Sequence, residues 1–595
     1  MEPFFRHRLW LAALIAAVCF SSLAASPPSP ADQDSGGQTV IPPVKADAAR
    51  WTLSTIAERT PVADHPHRTR IDVRQEGEVN WQAVMHSPAN TVAVKKGDFL
   101  VYDLKIRVTG ERTDVGDIAV FVESAVEGKS GYAGGRIHPT TQWQTMRRSL
   151  VCPLDFDAGE MRLSVHLAPK AQTLEFESVS VRSFPAGTPA DQLGLEGLRW
   201  AGSEPDASWR GEAARRIEKL RKRDLTVRVV DADGNPVSGA AVRVQQTRHD
   251  WKFGTFLGSK MLGESADAVR YRQEVLRRFS AVTLPAYLAD WGWRNDNSRR
   301  DYFRLADFAQ KHGLTARGHL LVYPGWTATP SEWFTIAKPE LRQKMAAHIP
   351  RAIRAFESRG VTEWDVANEL RFNDEFMKEI GGIVVAADWF RQARELLPNG
   401  ELYLNETVVL TNGGHTETEQ STLLAHAKTL TDAGAPIDGL GLQGHFNTEF
   451  TPPTRVHEIL DRMSEPGFRL MITEFDMDND DKRAQAAYLK DFFTVCFAHP
   501  AVDGIISWGF WQGDMWKPRG HHYTTDWQPT EVAEAYDELV LGTWWTEVDS
   551  ETDAAGTVKL RAFAGDHGIR VVHDGYEQQQ TIDLSADATV TVVVP

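Results

Sequence analysis

Two short segments carry glutamates in settings where a carboxyl group can do chemistry. Thr362-Glu363-Trp364-Asp365-Val366-Ala367-Asn368-Glu369 is an apolar-polar run that closes on an amide beside a carboxylic acid. Leu470-Met471-Ile472-Thr473-Glu474-Phe475-Asp476 is a second apolar run whose polar end again contains a glutamate. Each has the pattern of a buried strand that delivers polar groups at its C-terminal end. Two carboxyls on two strand ends suit a reaction that needs one proton donor and one carboxylate, and hydrolysis of a glycosidic bond is the commonest such case. In that chemistry Glu369 is the general acid/base, which must keep its proton longer than a free glutamate does; burial and a neighbouring carboxylate both act that way. Glu474 is the nucleophile, held ionised by hydrogen-bond donors, and retention of configuration sets the two carboxyls about 5–5.5 Å apart. Alone, either glutamate reads as a strand-end salt bridge. The pair carries the reading.

The elements around them alternate. Strand-like runs fall at Phe253–Leu257, Ala281–Pro285, Thr315–Tyr323, Glu363–Asn368, Leu402–Asn405, Gly439–His445, Leu470–Phe475 and Gly504–Phe510, with amphipathic stretches between. In Asp301–His312, for example, Tyr302, Ala306 and Ala309 share one face and Gly313 supplies the stop. Eight such repeats predict an α/β fold, a (β/α)8 TIM barrel over 251–542, where chemistry gathers at the C-terminal ends of the strands. The two glutamates then sit on strands four and seven.

WDVANE and ITEFD resemble the acid/base and nucleophile signatures of glycoside hydrolase family 10, whose best-known members are endo-1,4-β-xylanases. The resemblance covers residues from about 250 to 541. It implies a retaining two-glutamate hydrolase acting on β-1,4-linked xylan or a related plant-type polysaccharide. It further implies that Asn368 bonds the hydroxyl next to the anomeric carbon. His319, at the end of strand three, matches the histidine at the glycone sugar. His445, at the end of strand six, matches the one that bonds the nucleophile. Gln443 matches a sugar-binding position, and Trp508 and Trp516 match indoles that stack on pyranose rings. Asn405 matches an asparagine after strand five whose role is open, and Asp476 reads as an orienting group for Glu474 or as a surface residue.

The chain also departs from the family. Where Glu-Asn and then Lys-Trp hold the glycone sugars, it has Leu284-Pro285-Ala286-Tyr287-Leu288-Ala289-Asp290-Trp291, so that Pro285, Ala286 and Ala289 stand at lost polar positions. The Trp-His after strand three is Tyr323-Pro324. Two rivals follow: a retaining hydrolase of another β-glycan, and a non-catalytic polysaccharide-binding or scaffold protein. Retention of both glutamates argues against the second.

The 595 residues exceed one ordinary domain. With 65 basic and 81 acidic side chains the formal net charge is −16, which argues against nucleic acid or an anionic membrane as partner and leaves a neutral polysaccharide unaffected. Residues 1–25 read as a signal peptide, with a basic start, a short apolar run and a small-residue cleavage site, so the protein is expected to be secreted or periplasmic. Residues 26–48 read as a linker and 49–190 as a β-sandwich, a carbohydrate-binding module if Trp81, Tyr132 and Trp143 stack on sugars and a plain fold if they are core. Residues 205–250 read as a helix plus a β-hairpin insert, with Ala214, Ile217 and Leu220 on the helix's apolar face, and 543–595 as a small β domain. Cys19 lies in the signal and Cys152 and Cys496 are far apart, so no disulfide framework is expected.

No cofactor or metal is expected. Gly439-Leu440-Gly441-Leu442-Gln443-Gly444 fits a dinucleotide fingerprint but lies within a strand. Asp476, Asp478 and Asp480 imitate a calcium loop, yet position six is Asp481 and position twelve Ala487, leaving a solvated acidic loop as the expectation. His521-His522 has no companions at ligand spacing. The sequence sets no oligomeric state.

Overall fold

The computed structural model describes residues 37–595 apart from 46–51, 54–56, 76, 78–79, 111–112, 114–115, 127–128, 130–131, 189–199, 326–327, 372–373, 448 and 480. The expected signal peptide lies outside the described residues. So does most of the expected linker, but residues within it that are described form a strand, Gln38–Lys45, paired antiparallel with Gln172–Phe184. Val40 and Ile41 on that strand are fully buried, which is why the segment is held in the sheet despite its prolines.

The N-terminal part is a two-sheet antiparallel sandwich. Its six-stranded sheet contains Phe99–Thr109 and Gln172–Phe184; its five-stranded sheet contains Ile118–Ser124 and Met161–His166. Alternating apolar side chains such as Leu100, Leu104, Val120, Leu163 and Val179 meet between the sheets. Among the aromatics expected to bind sugar or fill core, Trp81 is 52% exposed. Trp143 carries the guanidiniums of Arg68 and Arg107 at 4.7 and 4.9 Å from its ring centroid, and the Tyr132 side chain lies outside the described residues.

The barrel consists of Lys252–Phe256, Ala281–Pro285, Thr315–Val322, Val361–Asn368, Glu401–Glu406, Gly439–Leu442, Arg469–Met477 and Val502–Ser507. Every neighbouring pair is parallel, and pairing of the first with the eighth closes the ring. Its strands lie under the helical shell and are almost wholly buried, as the all-parallel arrangement demands. The sixth strand ends three residues earlier than its apolar run, at Leu442, and a two-residue strand, His445–Phe446, pairs with the far end of the seventh. The helix over 301–312 starts earlier, at Asp296, because Asn295 caps it by accepting from the backbone N–H groups of Asn297 and Ser298.

Two expectations about the flanks need correction. The helix Ser208–Arg221 buries Trp209, Ala213 and Ile217, not the Ala214 face, because Trp209 anchors the first turn with its indole N–H on the Gly202 carbonyl. The segments 222–230 and 241–249 are not a hairpin, and 543–595 is not a separate domain. Lys222–Val230 lies between Thr557–Phe563 and Ala588–Val593 in one sheet, and Ala241–His249 lies between Glu547–Glu551 and Gly565–His573 in another. Leu225, Val227, Val242 and Val244 meet Ile569, Val571 and Val592 in a shared core. Each strand has one apolar face, and neither flank of the barrel holds enough strands to cover it, so the segments before and after the barrel complete one sandwich.

The N-terminal sandwich is seated on the barrel. Val101 and Phe184 join the barrel's hydrophobic core. Glu449, in the loop after strand six, accepts a hydrogen bond from the His138 backbone N–H, its Oε2 lies 2.6 Å from His138 Nδ1, and Oε1 lies 3.6 Å from Arg148.

Candidate active site

Strand four ends at Asn368, and the next residue, Glu369, has φ of 53°. A non-glycine side chain in that region is strained, and the backbone is held there by the Glu369 N–H donating to the Asn405 carbonyl at 2.9 Å. The turn lifts the carboxyl out of the strand and over the barrel mouth. Glu474 arrives from within strand seven, which continues to Met477.

Three amides connect the two acids. Gln443 Nε2 donates to Glu369 Oε1 at 2.9 Å and reaches Asn368 Oδ1 at 3.5 Å. Asn405 Nδ2 donates to Asn368 Oδ1 at 2.7 Å and to Glu474 Oε1 at 2.8 Å. Thr473 Oγ1 donates to Asn405 Oδ1 at 2.6 Å, which fixes which end of that amide faces Glu474. Glu369 and Glu474 therefore occupy one site at the C-terminal mouth, joined by side chains from strands four, five, six and seven.

The second oxygen of Glu474 lies 3.1 Å from His445 Nε2, and His445 Nδ1 lies 3.0 Å from Asp476 Oδ2. Trp516 Nε1 also donates to Asp476, and Lys517 Nζ stands 3.4 Å from it. Asp476 and Asp478 are each 3% exposed, and Arg519 pairs with Asp478. The expectation of a solvated acidic loop fails for these two: strand seven runs on through Asp476 to Met477, and the loop after strand eight brings cations to meet both aspartates. His319 Nδ1 lies 2.9 Å from Asp365 Oδ2, whose other oxygen accepts from Arg317, and it is 3.9 Å from Glu474 Oε1.

Rings line the rest of the mouth. Trp508 packs edge-on against His319 with centroids 4.9 Å apart, and Tyr287 does the same from the other side at 5.3 Å. Trp516 packs against His445 at 5.0 Å and is 51% exposed, with Lys517 Nζ 4.3 Å from its ring. Glu369, Glu474, Asn368, His319, Gln443, His445, Trp508 and Trp516, together with Asn405 and Asp476, thus lie around one mouth.

The electrostatics differ between the acids' surroundings. Burial pushes the Glu369 carboxyl above the ordinary glutamate range; Gln443 and Tyr323 restrain the rise by hydrogen bonding, and the charge of Glu474 adds to it. Burial opposes a charge on His445, but Asp476 and Glu474 outweigh it and raise its pKa. The same balance raises His319, through Glu474 and Asp365. Hydrogen-bonding partners beside Glu474, and burial that raises the pKa of Glu369, make one carboxyl suited to attack and the other to protonate a leaving group.

The sequence reading missed Glu406, Tyr323 and Tyr287. Glu406, 1% exposed, accepts from the backbone N–H groups of Thr407 and Arg371, and burial with the charge of Glu369 pushes it up to about 8. Its neighbour Asn405 was singled out, so a second polar residue on a buried strand end was the available signal. Tyr323 Oη donates to Glu369 Oε2 at 3.0 Å. Among the described residues one group, His457, Asp461 and His499, brings ligand-type atoms within 4.8 Å of one another. It lies on the helical shell, with Arg216 2.7 Å from His457 Nε2 and the Ala501 N–H donating to His499 Nδ1, so its ring nitrogens are already engaged.

Residues 248–538 match the family model of glycosyl hydrolase family 10. Among curated proteins, the chain is 27% identical over 379 residues to anti-sigma-I factor RsgI6 of Acetivibrio thermocellus, covering 62% of this chain and 47% of that protein. It is 23% identical over 550 residues to endo-1,4-beta-xylanase 2 of Arabidopsis thaliana, covering 90% and 46%. The chain thus spans about half the length of these relatives. A solved structure, xylanase 10B from Thermotoga petrophila in complex with xylobiose, superposes with a TM-score of 0.43 at 22% identity, covering 49% of this chain and 95% of that one.

Proposed function

We propose, for a chain whose residues 248–538 belong to glycosyl hydrolase family 10, that it is a retaining glycoside hydrolase cleaving β-1,4-linked xylan or a related plant-type polysaccharide. The observation that carries this is the amide chain Gln443–Asn368–Asn405, which ties Glu369 and Glu474 into one site. A Glu474 oxygen attacks the anomeric carbon while Glu369 gives its proton to the leaving glycosidic oxygen, which takes the electron pair of the broken bond. Water then attacks the glycosyl ester, Glu369 accepts the water's proton, and Glu474 leaves as carboxylate. His445 and Asn405 donate to Glu474 as its charge returns. Asn368 and Gln443 face the sugar hydroxyl beside the reacting carbon, and Trp508 and Trp516 supply ring faces.

A second substrate, another β-glycan, is favoured by one feature: Pro285, Ala286 and Ala289 stand where the family holds glycone sugars by polar groups, and Tyr287 and Tyr323 line that side here. The leader-like pattern of residues 1–25 supports action outside the cytoplasm, and the exposed Trp81 supports a carbohydrate-binding role for the N-terminal sandwich.

The test incubates the protein with β-1,4-xylan, glucan and mannan and follows the first-formed anomer by NMR. Retention on xylan is the expected result, and inversion, or no sugar released from any polymer, refutes the proposal. Glu369→Ala and Glu474→Ala are each expected to abolish turnover with the fold intact.

A further inference from the structure

Tyr323 follows the last residue of strand three, at a position where the resemblance leads one to expect tryptophan. Pro324 follows it, and a residue before proline is confined to extended backbone, so the ring is aimed by a stiff segment. Its hydroxyl donates to Glu369 Oε2 at 3.0 Å while Gln443 Nε2 donates to Oε1 at 2.9 Å. These partners differ in kind. An amide N–H only donates; a phenol hydroxyl donates or accepts. Gln443 is held with its nitrogen toward Glu369 because the same nitrogen faces Asn368 Oδ1. The partner at Oε1 can therefore only donate, whereas the partner at Oε2 can turn its lone pair toward a proton carried there, so a proton gains a hydrogen bond on Oε2 that it cannot gain on Oε1.

We propose that Tyr323 is a positioning residue that places the acid's proton on Oε2 of Glu369 and donates to that same oxygen once the proton has left. The proposal rests on Glu369 being the acid/base. In the first step the proton passes from Oε2 to the glycosidic oxygen as the bond to the anomeric carbon breaks and its electron pair goes to that oxygen. The Tyr323 O–H then rotates onto the new carboxylate. When water attacks the glycosyl ester, its proton returns to Oε2 and the hydroxyl turns back. Among the described residues, Glu369 is coupled to Tyr323 after strand three, Glu406 on strand five, Gln443 and His445 after strand six, Glu474 on strand seven and Tyr287 after strand two. Of these, Tyr323 is the one whose hydroxyl meets Oε2.

The test is Tyr323→Phe, which keeps the ring and removes the hydroxyl, read on two substrates across pH. One is an unactivated xylo-oligosaccharide, whose leaving group needs the proton. The other is a dinitrophenyl β-xylobioside, whose leaving group does not. On the oligosaccharide, kcat/KM is expected to fall about tenfold, the scale of one hydrogen bond to a charged group, and its alkaline limb to move to higher pH, because a donor to the ionised form is gone. On the aryl substrate kcat/KM should change little. Equal losses on both substrates with an unmoved alkaline limb would overturn the proposal, and loss of folded enzyme alone gives that pattern too, so melting curves accompany the kinetics and rates are referred to folded protein. Glu369→Gln serves as the control. If it keeps the wild-type rate and limb, the acid/base assignment itself fails; if it loses them while Tyr323→Phe does not, only the role of Tyr323 fails.

Discussion

Asn405 Nδ2 stands 2.8 Å from Glu474 Oε1, and that amide touches both Asn368, the residue before the proposed acid, and Glu474, the proposed nucleophile. Its other end is fixed by the Thr473 hydroxyl, so it cannot flip without losing a buried hydrogen bond. A residue with no direct claim on the reacting bond thus sets the relation between the two that have one.

Replacing it should be felt in catalysis more than in substrate affinity. Asn405→Ala is expected to lower kcat about 10²-fold, as removal of one preorganised donor does, with a smaller change in KM. Steady-state kinetics on xylo-oligosaccharides read both. A wild-type kcat would remove Asn405 from the charge balance at Glu474.

The His445–Asp476 pair predicts how stability varies with pH. His445 has a raised folded pKa, so its contribution is fully present below its unfolded value and is lost as pH rises through the folded one. Asp476, though burial opposes its charge, is held below the ordinary range by His445 and Lys517, so its contribution is present above its unfolded value and lost as pH falls through the folded one. As pH rises above the ordinary histidine value, melting temperatures of the wild type should decline more steeply than those of Asp476→Asn. Parallel profiles for the two proteins would contradict the pairing.

Glu449 fastens the N-terminal sandwich to the loop that carries His445. Its oxygens face His138 and Arg148, and the three side chains are 11%, 4% and 6% exposed. Glu449→Ala removes the buried carboxylate that faces the Arg148 guanidinium and the His138 ring, and breaking a buried pair of this kind costs about 3–5 kcal/mol. Calorimetry should show the sandwich melting before the barrel in the variant. One unchanged cooperative transition would show that apolar contacts alone hold the domains together.

The completed C-terminal sandwich makes an unusual truncation prediction. Removing residues 547–595 strips both neighbours from Lys222–Val230 and both from Ala241–His249, exposing their edges and apolar faces. The truncated protein is expected to aggregate although the whole barrel is retained. A soluble, active 1–546 fragment would show that residues 222–249 do not depend on the C-terminal strands.

Much of the barrel was legible in the residue order, because a parallel strand buried on both faces must be an unbroken apolar run and the helix after it must be amphipathic. The polar residues that interrupt those runs at their ends were legible for the same reason: Asn368, Asn405, Gln443 and Glu474 are costly to bury unless they are used. Three things were decided only in space. Whether Asp476 and Asp478 meet water or cations depended on Lys517 and Arg519, which arrive from another strand's loop. Whether Lys222–Val230 pairs with its neighbour in sequence or with strands more than three hundred residues away depended on where an apolar face finds cover. Tyr323 became a partner of Glu369 only because strands three and four lie side by side. Local order dictates which segments must be buried; which polar groups then face one another is settled by closing the ring, since that step alone brings distant side chains within hydrogen-bonding reach.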